Sequence, residues 1–143
     1  MTRAEIVAAA RGWIGTPYRH QASLKGVGCD CLGLLRGVWR ELLGGEPEPV
    51  PPYTRDWAEA SGRELLLDVA SRHLVRVERE AQPGDVLLFR WRAGLPAKHC
   101  AIVGAPGTMI HAHEGAAVAE VTIAPFWSRQ IAAAFAFPDV EER

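Results

Sequence analysis

Three residues of this chain, Cys31, His99 and His111, have the types and settings that nucleophilic catalysis requires. Cys31 follows Asp30, a favoured helix N-cap residue, and precedes the apolar run Leu32-Gly33-Leu34-Leu35, so it falls in the first turn of a predicted helix. Aligned peptide dipoles and unpaired N–H groups place roughly half a positive charge there, and a thiol pKa of about 8.5 can fall to about 3.5–7.5 at such a site. A thiolate nucleophile needs an imidazole to hold its proton and return it to the leaving amine. That imidazole in turn needs a third group to fix its tautomer. His99 and His111 fill these two roles. The oxyanion of the tetrahedral intermediate would meet the Cys31 backbone N–H, with the Tyr18 side chain as a second donor.

The pairing of the two histidines depends on register. Gly104-Ala105-Pro106-Gly107 reads as the turn between their strands. With the hairpin centred near Ala105, Val103 faces Gly107, Ile102 faces Thr108, and His99 lies directly opposite His111 on one face, Cβ atoms about 4.5–5.5 Å apart. A slip of one residue would send the two rings to opposite faces.

The elements that must position these groups follow from patterning. Thr2-Arg3-Ala4-Glu5 is a capping box, with Ile6, Ala9, Ala10 and Trp13 at helical spacing behind it, so a first helix runs to about Gly12. Gly15-Thr16-Pro17 ends it, and Tyr18 to Gly28 reads as a loop. In the second helix Cys31, Leu34 or Leu35, Val38 and Leu42 share a stripe, with Arg36, Arg40 and Glu41 off it, and Gly44-Gly45 stops it. The thiol therefore sits at the edge of the buried face. Glu46 to Pro52 holds four of the ten prolines, which predicts an extended crossing. Asp56-Trp57 opens a short helical turn, and Ser61-Gly62-Arg63-Glu64 is a second capping box ahead of Leu65, Leu66, Val69 and Ala70.

From Leu74 the period becomes two. Runs at 74–77, 85–89, 99–103, 108–112, 118–123 and 131–137, parted by Gly and Pro turns, predict hairpin-connected strands. Helices first and strands afterwards mean an α+β fold, its N-terminal helices packed on one face of an antiparallel sheet.

Composition excludes several classes. The 143 residues are the size of one domain, 1–143, and 16 basic against 17 acidic side chains leave no electrostatic footprint for nucleic acid or an anionic membrane. Neither partner is assigned. Glu5 and Arg11 interrupt what would be the apolar core of a signal peptide, and no apolar run approaches the ~18 residues of a membrane span. Synthesis in the cytoplasm without a signal peptide is the expectation. Three cysteines cannot all pair, and Cys29 and Cys31 are too close for a relaxed bridge. Cys29 and Cys100 read as small buried hydrophobes, Cys100 facing away from His99 by alternation. His20, His73 and His113 read as surface or loop residues, and Trp13, Trp39, Trp57, Trp91 and Trp127 as packing. A rival constellation, Cys29, Cys31 and His99 with His111 or His113, has the composition of a Cys2His2 metal site. Its Cys-x-Cys and strand-borne His-x-His spacings rank it below the thiol enzyme, so no metal or cofactor is expected.

With these residues identified, the chain resembles the NlpC-type family of bacterial cell-wall cysteine peptidases, a compact papain-like fold. Asp30-Cys31-Leu32-Gly33-Leu34 is similar to the family's Asp-Cys-Ser-Gly-Leu/Phe nucleophile motif, and Gly15-Thr16-Pro17-Tyr18 to its Gly-x-Pro-Tyr loop. Pro83-Gly84-Asp85-Val86 resembles its Pro-Gly-Asp-Leu strand, Lys98-His99-Cys100-Ala101-Ile102 its general-base strand, and Met109-Ile110-His111-Ala112 the strand of its third polar residue. Order and separation all fit. Leu32 stands where the family usually has Ser, and His20-Gln21-Ala22 where many members carry Gly-Gly.

The chain is similar above all to a short branch encoded by phages, prophages and gene transfer agents, in Asp30 to Leu34, Glu48-Pro49-Val50-Pro51-Pro52-Tyr53 and Asp56-Trp57. The resemblance implies an endopeptidase cutting peptidoglycan stem peptides between γ-D-glutamate and meso-diaminopimelate or lysine. Its catalytic residues are Cys31, His99 and His111; Tyr18 and Asp30 serve oxyanion and substrate, Asp30 chiefly as cap. It further implies partners among tail or baseplate proteins, assembly into a phage-like tail in the cytoplasm, and action on the periplasmic cell wall. An amidase or acyltransferase on the same fold, or a structural tail component without chemistry, are the alternatives. The Pro-rich Glu46 to Pro52 segment is a candidate docking loop.

Overall fold

The structure, a computed structural model, describes residues 1–50, 53 and 64–141. Helix α1 spans Arg3–Arg11, with Thr2 and Glu5 closing the expected capping box. The short strands β1 (Ser23–Leu24) and β2 (Gly28–Cys29) pair as a hairpin within the stretch read as loop. Helix α2 runs Cys31–Leu43 from its N-cap Asp30 and ends at Gly44, whose φ of 89° only glycine adopts readily. Helix α3 is Leu65–His73.

The predicted second capping box does not start α3. The helix begins at Leu65 with Glu64 in the cap position, and the Glu64 carboxylate instead accepts from Ala97 N at 2.7 Å and Arg90 at 3.3 Å. A tertiary partner won over the local one. Ser61 and the turn predicted at Asp56-Trp57 lie outside the described residues.

Strands β3 (Val75–Val77), β4 (Val86–Phe89), β5 (His99–Val103), β6 (Thr108–His111), β7 (Ala119–Thr122) and β8 (Ile131–Ala136) form one antiparallel sheet among the described residues, in the order β3-β8-β4-β5-β6-β7. Hairpins join β4 through β7 as expected, but β3 and β4 are not neighbours: β8 returns from the far end and lies between them. A four-residue helix, α4 (Pro125–Ser128), precedes β8.

Two layers of core follow. Ile6 of α1, Trp13 just beyond its end, and Leu34 and Val38 of α2 pack on the sheet face that carries Val86, Leu88, Cys100, Ile102 and Phe135. Leu87, Phe89, Ala101, Val103 and Met109 face the other way, under Trp127 and Ile123. The turn after α1 approaches α2 closely at Gly37, where an added Cβ would stand 1.9 Å from the Trp13 ring. The sheet is anchored to α1 through Asp85, fully buried, which accepts from Arg3 at 2.9 Å and from Arg79 at 2.6 Å.

The β5–β6 register differs from expectation. Ile102 pairs with Ile110 and Val103 with Met109, so the hairpin is centred at 106 and position 113, not 111, is the one opposite His99. The turn explains it: Pro106 and Gly107, φ 81°, occupy the central positions of a turn closed by Thr108 N to Ala105 O at 2.9 Å. Because the difference is two residues, faces are conserved and His111 becomes a diagonal neighbour of His99.

Candidate active site

Cys31 is the first residue of α2, and Asp30 holds that helix start from three sides. Its carboxylate accepts from Gly33 N at 2.7 Å, closing the cap, from Gln21 N at 2.7 Å, and from the Tyr53 hydroxyl. Asp30 is buried, and the bond to Tyr53 together with burial pushes the tyrosine pKa well up, burial first. Gly33 is required by contact: a Cβ there would lie 1.8 Å from the Ala22 carbonyl oxygen. The Pro-rich segment that ends at Tyr53 is pinned on its way, Glu46 to Arg36 at 2.6 Å and Glu48 to His73 at 2.6 Å. Over its described part it is a bound crossover that delivers a side chain to the site.

The loop bearing Tyr18 is held on both sides. Cys29 N donates to Pro17 O and Arg19 N to Cys29 O, each 3.0 Å, while Gly15 N donates to Val118 O and Val118 N to Thr16 O, each 2.9 Å. Tyr18 thereby lines a cleft of about 140 Å³ together with His20, Asp30, Cys31, Tyr53 and His99. Trp91, Lys98, His113 and Glu114 complete its far wall.

His99 sits at the start of β5 in an aromatic cage. Phe89, directly across on β4, lies 5.7 Å away between ring centroids, Trp91 stacks at 5.8 Å and 20°, and Trp127 of α4 lies at 5.4 Å. His99 Nε2 stands 2.9 Å from His111 Nδ1. Burial, then the neighbouring His99 and His113, lowers the His111 pKa to about 3, so this ring is neutral at physiological pH. In the tautomer with the proton on Nε2, its Nδ1 lone pair accepts from His99 Nε2–H, and that arrangement leaves His99 Nδ1 for the thiol.

Cys31 is half-buried and meets β5 at the end of the strand. Its sulfur lies 4.0 Å from the Lys98 carbonyl oxygen. Beyond that carbonyl it reaches His99, and on the helix side of the sheet it reaches Cys100. Hydrogen bonding from Cys100, then from His99 with the charge of its ring, holds the Cys31 thiol well below its usual range, against burial and Asp30. Burial pushes Cys29 up to about 12. Among three free cysteines the nucleophilic character is thus concentrated on Cys31.

Of the predicted site residues, Cys31, His99, Tyr18 and Asp30 line one cleft and His111 stands behind His99. Cys29 is buried in β2, and no cluster of metal-binding side chains occurs among the described residues. Four residues that patterning left aside belong to the site's surroundings. His20 lines the cleft, bonding Tyr53 O at 2.8 Å, and His113 stacks on His111 at 5.7 Å and 16°. Trp127 cages His99, and Cys100 touches Cys31. The alternation that turns Cys100 away from His99 also turns it toward the helices, and that was the signal for its contact with α2.

A family model described as the NlpC/P60 family matches residues 15–135. The fold is similar to the NlpC/P60 domain of the peptidoglycan hydrolase SagA, with 25% identity, a TM-score of 0.64, and coverage of 96% of this chain and 100% of that one. It is similar also to an NlpC/P60 family protein from Bacillus cereus ATCC 10987, at 20% identity and TM-score 0.68, covering 96% of this chain and 40% of that one. NlpC1 from Trichomonas vaginalis is 19% identical with a TM-score of 0.64, covering 95% and 44%. The chain thus spans the whole of the first structure and under half of the other two. No curated protein sequence matches.

Proposed function

The chain belongs to the NlpC/P60 family, and on that premise we propose that it is a cysteine peptidase of the bacterial cell wall, residues 1–143 acting as one domain that hydrolyses peptidoglycan stem peptides. The observation that carries this reading is the relay from Cys31 at a helix start, through His99, to His111 Nδ1 at 2.9 Å, at the edge of an open cleft.

Cys31 sulfur attacks the scissile carbonyl carbon while His99 holds the thiol proton. The carbonyl oxygen becomes an oxyanion facing the Cys31 N–H and the Tyr18 hydroxyl. Collapse breaks the C–N bond, the His99 proton goes to the leaving amine, and a thioester remains. Water, deprotonated by His99, attacks the thioester carbonyl and releases the acid and the thiol. His111 accepts from His99 Nε2–H throughout, which keeps Nδ1 aimed at sulfur. Lys98, whose ammonium lies 5.8 Å over the Trp91 ring, gives the far wall a cation for the carboxylates of the stem peptide.

The finer reading takes the bond as γ-D-glutamyl–diaminopimelate or –lysine. It takes the setting as the tail of a phage or gene transfer agent particle, assembled in the cytoplasm beside tail or baseplate partners to open the wall for DNA delivery. Its support is the resemblance in Asp30 to Leu34, in the Pro-rich run ending at Tyr53, and in Asp56-Trp57.

The test is digestion of purified sacculi with the wild type and with Cys31→Ala, His99→Ala and Cys29→Ala, one arm containing a chelator, new amine ends being mapped by mass spectrometry. Cys31→Ala and His99→Ala are expected to abolish release, Cys29→Ala and chelator to leave it unchanged, and the ends to name the bond. No release by folded wild type would turn the reading to a structural tail component. Loss with Cys29→Ala or chelator would turn it to a metal site.

A further inference from the structure

The peptidase mechanism uses one thiol, yet two meet at the start of β5. The Cys100 sulfur, buried on the helix-facing side of the sheet, donates to the Cys31 carbonyl oxygen at 3.3 Å and interacts with the Cys31 side chain. Both cysteines are free. Cys31 opens on the cleft, so a small oxidant can reach it, whereas Cys100 is sealed and meets only what Cys31 presents.

We propose that Cys31 and Cys100 form a reversible redox pair, in which a hydroperoxide oxidises Cys31 and Cys100 resolves the product as an intramolecular disulfide. The Cys31 thiolate attacks the terminal peroxide oxygen; the S–O bond forms, the O–O bond breaks, and the departing alkoxide, or hydroxide from hydrogen peroxide, takes up a proton. Sulfur is oxidised and peroxide reduced. The Cys100 sulfur then attacks the Cys31 sulfur of the sulfenic acid, forming S–S and breaking S–O, and the Cys100 proton leaves with the hydroxide as water. Burial disfavours the Cys100 thiolate, but contact with the sulfenic acid offsets this by proximity. The Cys100 sulfur is already against the Cys31 backbone, so the two residues start as neighbours across the contact between α2 and β5. The disulfide blocks the nucleophile and shields it from irreversible oxidation. Cys29 belongs to β2 and does not line the cleft.

This inference rests on Cys31 being the reactive thiolate of the proposed peptidase, and its test reads mass, so it stands or falls whether or not sacculi are cleaved. The full-length reduced protein is treated with hydrogen peroxide beside Cys29→Ala, Cys100→Ala and Cys100→Val, each checked for folding by circular dichroism, and analysed intact and as peptides without reductant. Wild type and Cys29→Ala are expected to lose about 2 Da and two free thiols, to yield a peptide joining Cys31 to Cys100, and to recover every thiol on reduction. Either folded Cys100 variant is expected to gain about 16 and then about 32 Da at Cys31, the latter irreversible. Wild type that gains about 32 Da as fast as the Cys100 variants, with no cross-linked peptide, would overturn the proposal. A mass loss that disappears in Cys29→Ala would overturn it too.

Discussion

His99 and His111 meet diagonally across two strands, Nε2 to Nδ1 at 2.9 Å, with Trp127 edge-on to the second ring at 5.2 Å. The proposed relay asks only for an acceptor at that point. His111→Asn, whose side-chain oxygen can accept the same proton, is expected to keep kcat/KM within about tenfold of wild type. His111→Ala is expected to lose about 100-fold or more, as removal of a group that fixes a catalytic tautomer does. Steady-state hydrolysis of a soluble stem-peptide substrate checks both.

Neutral burial of His111 also links stability to pH. Its folded pKa is lowered to about 3, while the unfolded chain binds the proton near pH 6.5. The contribution is therefore complete above about pH 6.5 and is lost as pH falls toward about 3. The urea midpoint of wild type should fall over this window more steeply than that of His111→Asn. Parallel curves would refute it.

Alkylation separates the three thiols. Cys31 is held below its usual range, whereas Cys29 is pushed up to about 12 and Cys100 well up. Iodoacetamide near neutral pH should label Cys31 first, at a rate that rises less steeply with pH than the close to tenfold per pH unit of an ordinary thiol. Cys100→Ala removes the foremost cause of the shift and should restore the steep profile.

Asp85 is fully buried, and although burial raises its pKa, the bonds from Arg79, Gln82 N and Arg3 outweigh it, so the net shift is downward. Asp85→Ala leaves those cations facing an apolar wall and should cost about 3–5 kcal/mol in denaturant unfolding. A depressed carboxylate contributes fully above its unfolded pKa of about 3.9 and loses that contribution as pH falls through the folded value. The gap to wild type should accordingly narrow below about pH 4.

Gly33→Ala drives a Cβ to 1.8 Å from the Ala22 carbonyl oxygen, whereas nothing lies within 4 Å of a Cβ at Gly45. The first should lower the melting temperature and abolish hydrolysis by displacing the helix start. Gly45→Ala should leave both unchanged. Calorimetry and the same substrate assay check the pair.

Local rules read well wherever one segment decided its own structure. Thr2 and Glu5 cap α1, Asp30 caps α2, and alternation found the strands, because caps and faces are set by neighbours in sequence. Relations between distant segments were less legible. Placing β8 between β3 and β4 needs a partner some sixty residues from β3, and no period announces it. The hairpin register was two residues off because Pro106 and Gly107 choose the turn, and the histidines still met because two is the strand period. Trp127 and Tyr53 enter the site from a four-residue helix and a Pro-rich crossing, where spacing carries no orientation. Glu64 had a readable local role and took a tertiary one.

The three bonds to the Asp30 carboxylate come from the helix itself, from Gln21 and from Tyr53, which are separate stretches of chain. They tie the start of α2 to two other stretches, and the neighbours that lower the Cys31 thiol, Cys100 and His99, come from β5. An unfolded copy lacks all of these contacts and carries an ordinary thiol. Reactivity at Cys31 is thus a property of the assembled site and not of the local sequence alone.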